Sequence, residues 1–261
     1  MAGAHDVRLS NLSFAYGSTP VLTDISMTAT AGEFLAIVGP NGCGKSTALK
    51  LIAGLHRPGS GGVFVGDQDV AKLSRKTLAH HVALLTQAGI APANMTVRDL
   101  IGMGRFAHQT LLSRRSREDE AKIAEAMFAM DVQSLHDRRV GELSGGQLQR
   151  CRMAMTLAQD SQVLLLDEPT TYLDLKYQYG ILEKARDQAR QGKTVIAVLH
   201  DFTHAALYAH RVAVFHQGRL HGIGTPSHVL TTDTVREVFD VATFAIESHG
   251  ITIHLPERAR A

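Results

Sequence analysis

Three runs along the chain are apolar without alternation: Phe34 to Val38, Val163 to Leu166 and Thr194 to Leu199. A strand with one wet face alternates, so continuous runs of strand length predict parallel strands covered on both sides, the centre of an α/β sheet. Val7 to Tyr16 and Gly62 to Val65 differ: they are short β-type runs broken by Gly, Asn and Ser, which predicts antiparallel strands at one edge. From about Ala88 to Asp160 β-branched residues thin out and helical spacing takes over. Ser116-Arg-Glu-Asp119 reads as a capping-box start, and Ile123, Met127 and Met130 recur on one face. The expectation is one domain, with residues 1–87 and 161–261 forming the core and residues 88–160 an inserted helical lobe. A second amphipathic helix is expected from Leu175 to Arg190, stopped at Gly192, with Ile181, Leu182, Ala185 and Ala189 as its inner stripe.

Composition narrows the function classes. With 261 residues, 44% hydrophobic and 20% charged, the chain can bury a sizeable core. A net charge of +2 from dispersed Lys and Arg is no nucleic-acid footprint, so no nucleic-acid partner is expected. No apolar run approaches the roughly 18 to 20 residues of a spanning helix. The start, Met1-Ala-Gly-Ala-His-Asp6, lacks a basic and then apolar leader, so the protein is expected to stay where it is made. Cys43 and Cys151 make no disulfide framework, and the fourteen histidines, His80-His81 included, show no metal-ligand spacing.

The chemistry begins at Gly39-Pro40-Asn41-Gly42-Cys43-Gly44-Lys45-Ser46-Thr47, between the run ending at Val38 and a helix-like Ala48-Leu-Lys-Leu-Ile52. Strand, glycine loop and helix in that order make a P-loop. Its glycines let backbone N–H groups turn inward around a phosphate chain, and the helix N-terminus adds its positive dipole end. Lys45 supplies the mobile cation, and Ser46 offers a hydroxyl to Mg²⁺. A P-loop alone leaves kinases, GTPases and helicases open. Val163-Leu-Leu-Leu-Asp167-Glu168-Pro169 supplies the other half, an apolar strand ending in paired acids with the form of a Walker B motif. Asp167 belongs to the Mg²⁺ sphere, and Glu168, one residue on, is a candidate general base toward the attacking water.

Leu143-Ser144-Gly145-Gly146-Gln147, ahead of those acids, resembles the signature motif of the ATP-binding cassette family. A serine and two glycines opening a helix form a second anion site. What the resemblance implies is an ATPase in which the signature of one subunit closes on the P-loop of a second copy, head to tail, giving two equivalent ATP sites. Residue by residue, Tyr16 resembles the aromatic that stacks on adenine, and Gln87 the Q-loop glutamine near Mg²⁺. Asp174, in Thr170-Thr-Tyr-Leu-Asp174, matches the D-loop acid that contacts the other subunit, and His200 the switch histidine that hydrogen-bonds the γ-phosphate. The catalytic set so implied is Glu168, His200, Lys45 and Gln87, with Ser46, Gln87 and Asp167 around Mg²⁺. Leu148 departs from the pattern, where a polar residue is more usual.

The resemblance runs from Tyr16 to about Phe239. Glu168 to Asp174, Val198-Leu-His-Asp201, Gly102-Met-Gly-Arg105-Phe106 with His108-Gln109, and the stretch from Gly224-Thr-Pro226 to Val238-Phe239 are most similar to importers of ferric siderophores, with haem and cobalamin importers close behind. Implied partners are membrane permease subunits at the cytoplasmic face and, indirectly, an extracytoplasmic substrate-binding protein. A DNA-repair ATPase would need a long coiled-coil insertion, and a translation-associated factor a second cassette; a small-molecule kinase leaves the signature unexplained. An exporter ATPase shares the hydrolytic parts. Cys43, beside Lys45 and a helix N-terminus, is expected to favour its thiolate, so that alkylation there would block ATP binding.

Overall fold

The computed structural model describes residues 5–87, 92–109, 115–248 and 251–257. Met1 to Ala4 and Ala88, where the lobe is expected to begin, lie outside the described residues. In chain order the first half comprises β1 (Val7–Tyr16), β2 (Thr19–Ala29), β3 (Phe34–Val38), α1 (Lys45–Ile52), β4 (Ser60–Val65), β5 (Gln68–Asp69), α2 (Arg75–His81), β6 (Val82–Leu85), α3 (Val97–Gly102) and α4 (Arg117–Ala129). There follow α5 (Gly145–Ala158), β7 (Val163–Asp167), α6 (Leu175–Arg190), β8 (Thr194–Val198), α7 (Phe202–Tyr208), β9 (Arg211–His216), β10 (Arg219–Gly224), α8 (Pro226–Val229), α9 (Thr232–Phe239), β11 (Thr243–Ser248) and β12 (Ile251–Pro256).

The central sheet runs β10-β9-β3-β8-β7-β6, with β9 through β6 parallel and β10 antiparallel at its edge. Every residue of β3, β7 and β8 is buried, which is why their sequences do not alternate. Successive side chains nevertheless enter different cores. Phe34, Ala36 and Val38 join Leu164, Leu166, Val195 and Ala197 against the helices, among them α3 to α6. Leu35 and Ile37 join Val163, Leu165, Ile196 and Val198 on the other face, against α1 and the antiparallel sheet β2-β1-β4-β5. Helix α1, which leaves the P-loop, is thereby clamped between two sheets. Each Val, Leu, Ile or Phe so buried contributes roughly 1.5–3 kcal/mol.

Between residues 92 and 160 every named element among the described residues is helical. Ser116 caps α4 in a full capping box with Asp119. The same carboxylate accepts from Arg105 Nε at 2.8 Å, deep in the protein, and the Arg105 guanidinium also donates to Ala158 O at 3.0 Å. One buried ion pair thus joins the segment before α4, α4 itself and the end of α5. Gly104 allows the approach: a Cβ there would lie 2.2 Å from Met155 O. Helix α6 spans the predicted range and buries Ile181, Leu182, Ala185 and Ala189. The hairpin β11–β12 closes the chain, anchored by His254, whose Nε2 lies 2.6 Å from Leu230 O.

Candidate nucleotide site

Parallel strands end on one side of a sheet, and the loops there form the natural ligand crevice. The P-loop follows β3, Gln87 lies just beyond β6, Glu168 follows β7 and His200 follows β8. Gly39 turns the chain out of β3 where a Cβ would sit 2.2 Å from Phe215 O. Gly44, the residue before α1, has φ of +101° and faces Leu22 so closely that a Cβ would come within 2.4 Å of its Cδ2. Only glycine fits there. No side chain caps α1, so its first N–H groups and dipole end face the loop's concavity.

Lys45 is buried, and its ammonium donates to Gly39 O at 2.7 Å and Pro40 O at 2.8 Å, both within the loop. Ser46 Oγ donates to Asp167 Oδ1 at 2.8 Å, joining α1 to the end of β7 across 121 residues of sequence. Burial raises the Asp167 carboxyl above its ordinary range against the opposing pull of the Ser46 hydroxyl, and the neighbouring Glu168 charge adds to the rise. Glu168 adopts φ of +52°, in the left-handed region. Both its oxygens are engaged, Oε2 accepting from Gln87 Nε2 at 2.6 Å and Oε1 lying 2.6 Å from His200 Nε2. A cavity of about 390 Å³ opens between these groups, lined by Val21, Asn41, Gly42, Gly44, Lys45, Ser46, Thr47, Gln87, Glu168 and His200.

An oxygen set of a serine hydroxyl and a carboxylate in direct contact suits a hard divalent cation. The Gln87 amide, by contrast, is engaged with Glu168 rather than with Ser46 or Asp167. Tyr16 does not line the cavity. It is half-exposed at the end of β1, its hydroxyl 3.0 Å from His56 Nε2, and its ring edge meets Phe14. Cys43 overturns the thiolate expectation: its side chain is buried in the apolar core beneath the loop, and burial pushes its thiol pKa up despite the nearby Lys45 charge. Alkylation of an inaccessible neutral thiol is therefore not an expected route to block the site.

Leu143 to Gln147 stand apart from this cavity. Ser144 caps α5, accepting from Gln147 N at 3.3 Å while the Gln147 side chain accepts from Ser144 N at 3.0 Å. Gly145 and Gly146 lie against Tyr172 and Leu173, where a Cβ would come no closer than 3.4 Å. Asp174 caps α6 through Tyr177 N. Ser144, Gly145 and Tyr172 are exposed, and Tyr172 holds φ of +66°. Two further residues carry no motif: Val21, which the β1–β2 hairpin brings to the cavity, and Gln149, whose amide donates to Pro169 O at 3.2 Å. The β-type residues ahead of the P-loop were the signal for the first; nothing in the sequence marks the second.

The family described as ABC transporter matches residues 22–171, more than half of the chain. Over 242 residues the chain is 36% identical to the Ferric enterobactin transport ATP-binding protein FepC of Escherichia coli (strain K12), covering 92% of this chain and 89% of the relative. It is 38% identical over 259 residues to the Hemin import ATP-binding protein HmuV of Rhodococcus jostii (strain RHA1), covering 98% and 88%. Among solved structures, the dimeric post-hydrolysis ATP-binding cassette MJ0796 bound to ADP and Pi aligns with a TM-score of 0.75 at 26% identity, covering 84% of this chain and 98% of that one.

Proposed function

Because this chain belongs to the ABC transporter family, we propose that it is the ATP-hydrolysing subunit of an importer and powers uptake of a ferric siderophore through a membrane permease. The observation that carries the reading is the meeting of Lys45, Ser46, Gln87, Glu168 and His200 around one cavity at the carboxyl ends of the parallel strands. ATP places its phosphates along the P-loop, where the N–H groups of the loop and α1 receive them and Lys45 exchanges two loop carbonyls for the outer phosphate oxygens. Ser46 and Asp167 would hold Mg²⁺, which when bound offsets charge on those oxygens. Glu168 takes the proton of the attacking water as general base, and His200, at 2.6 Å from it, turns to the terminal phosphate. Gln87 leaves Glu168 as the site fills, relaying occupancy toward the permease. Tyr16 stacks on the adenine.

The exposed start of α5, with Leu143, Ser144, Gly145, Gly146 and Gln147, reads the nucleotide of a second copy, and Asp174 lies on that interface. No helix of the described residues is long and apolar enough to cross a membrane; the chain works at the cytoplasmic face, held by permease subunits that an extracytoplasmic binding protein loads with cargo. Haem is the second reading, favoured by the match to a hemin import subunit along 98% of this chain. The test is uptake of labelled ferric siderophore, haem and cobalamin in cells whose only copy is wild type or Lys45→Ala. Selective loss of siderophore uptake is expected. Selective loss of haem uptake would move the assignment to haem, and unchanged uptake of all three would keep the ATPase but discard the cargo assignment.

A further inference from the structure

Helix α5 is held at its start by more than its own cap, and the group with the widest reach is Arg150. Its side chain is buried in α5, yet it reaches two other elements, the end of α4 and the first turn of α6. One guanidinium nitrogen donates to Asp131 O at 2.7 Å and Met130 O at 3.3 Å, the carbonyls that close α4. The Asp131 carboxylate stands 3.5 Å from the same nitrogen. The guanidinium carbon lies 4.0 Å over the centre of the Tyr177 ring. Tyr177 sits in the first turn of α6, where its backbone N–H is the one that Asp174 caps. One turn earlier in α5 Gly146 abuts Leu173, and the adjacent Gln149 donates to Pro169 O.

Three contacts from positions 146, 149 and 150 of one helix therefore meet one segment, residues 169–177, which leaves the acids at the end of β7 and enters α6. Two of them are weak individually: a Cβ-width gap at Gly146 and one neutral hydrogen bond from Gln149. The third is a buried cation on an aromatic face, a stronger interaction once desolvated. A guanidinium suits it because it can lie flat on a ring while its edge still donates to carbonyls; an ammonium does one or the other. Among the described residues the buried Arg150 Nε has no hydrogen-bond partner.

We propose that Arg150, stacked on Tyr177, is a positioning residue that makes the start of α5 and the loop carrying Tyr172 to Asp174 move as one body. Ser144 and the first N–H groups of α5 then keep a fixed relation to Glu168 of the same chain while they meet the nucleotide of a second copy. The inference rests on the reading that the start of α5 serves a second copy.

The test uses the full chain with Tyr177→Leu and Arg150→Lys, singly and together. Binding of a fluorescent ATP analogue to the single chain reports the P-loop, steady-state hydrolysis reports the assembled site, and ATP-dependent dimerisation is followed by sedimentation in a Glu168→Gln background. Each single variant is expected to keep nucleotide affinity within about twofold and to lower kcat by on the order of tenfold, with the double variant no worse than either single one. Dimerisation is expected to need correspondingly more protein. Unchanged kcat, or losses that multiply in the double variant, would overturn the positioning role. If the Glu168→Gln chain with Arg150 and Tyr177 intact forms no ATP-dependent dimer, the two-copy reading itself fails and takes this proposal with it.

Discussion

A glycine and a small hydroxyl residue stand at the start of both helices, Gly44 and Ser46 at α1 and Ser144 and Gly145 at α5, yet the structure treats the two starts in opposite ways. At α1 no side chain caps the helix, the preceding Gly44 is left-handed, and the neighbouring groups Lys45, Ser46, Asp167, Glu168, Gln87 and His200 are gathered from four strand ends. At α5 the cap is complete within four residues, Ser144 to Gln147, and the helix start faces outward with no catalytic side chain beside it. A helix N-terminus is a general anion site; what separates the two is whether the same chain supplies the rest of the chemistry. The start of α1 lies among the groups of the cavity, whereas that of α5 is a capped helix start on the surface, apart from them.

The contrast breaks first at Glu168. Glu168→Gln is expected to lower steady-state hydrolysis by about 10²–10⁴-fold, the worth of a general base, while ATP binding by the chain persists; hydrolysis within tenfold of wild type would remove the base assignment. Next comes the ion pair beneath α5. Burial alone would raise the Asp119 carboxyl, but hydrogen bonds from Arg105 and Ser116 outweigh it and hold it below its usual 3.8. A depressed carboxyl contributes stability above its unfolded pKa and loses it as pH falls through the folded value. Arg105→Ala leaves that carboxylate buried without its cation, a loss of about 3–5 kcal/mol at neutral pH that shrinks as acid protonates the carboxyl. Urea melts monitored by circular dichroism at neutral and acid pH check both.

Ser144→Ala removes only the cap of α5, costing about 1 kcal/mol of stability. It is expected to reduce hydrolysis with nucleotide affinity of the single chain unaltered; a parallel loss of affinity would mean that α5 serves its own site. The smallest effect is at Asp167. Its raised pKa means that folding disfavours the ionised form, so stability falls as pH rises from the unfolded value through the folded one. Asp167→Asn keeps an acceptor for Ser46 and removes that penalty, so the melting temperature without nucleotide should rise as hydrolysis falls. A lower melting temperature would show that the carboxylate stabilises the fold.

Much of this molecule can be read without coordinates, and the reasons are local. Strands β3, β7 and β8 announce themselves because both faces are buried, and α6 because its stripe repeats at helical spacing. Strand β6 escapes notice since Val82 to Leu85 is a short run directly joined to α2, although its continuous apolar character is of the same kind. The hairpin β11–β12 is missed because its residues are exposed or half-exposed and carry little burial signal.

Motif chemistry likewise belongs to the sequence alone: the P-loop, the paired acids after an apolar strand and the serine-glycine helix start each need residue types at fixed spacing, and spacing is a local property. Contacts between motifs are not. Strand order β3-β8-β7-β6 is what brings Gln87, Glu168 and His200 to one point and sets Ser46 against Asp167. Only packing decides that Cys43 turns into the core instead of toward a phosphate, that Tyr16 meets His56, and that Arg150 covers Tyr177, because a side chain's direction and its desolvation depend on neighbours brought from far along the chain.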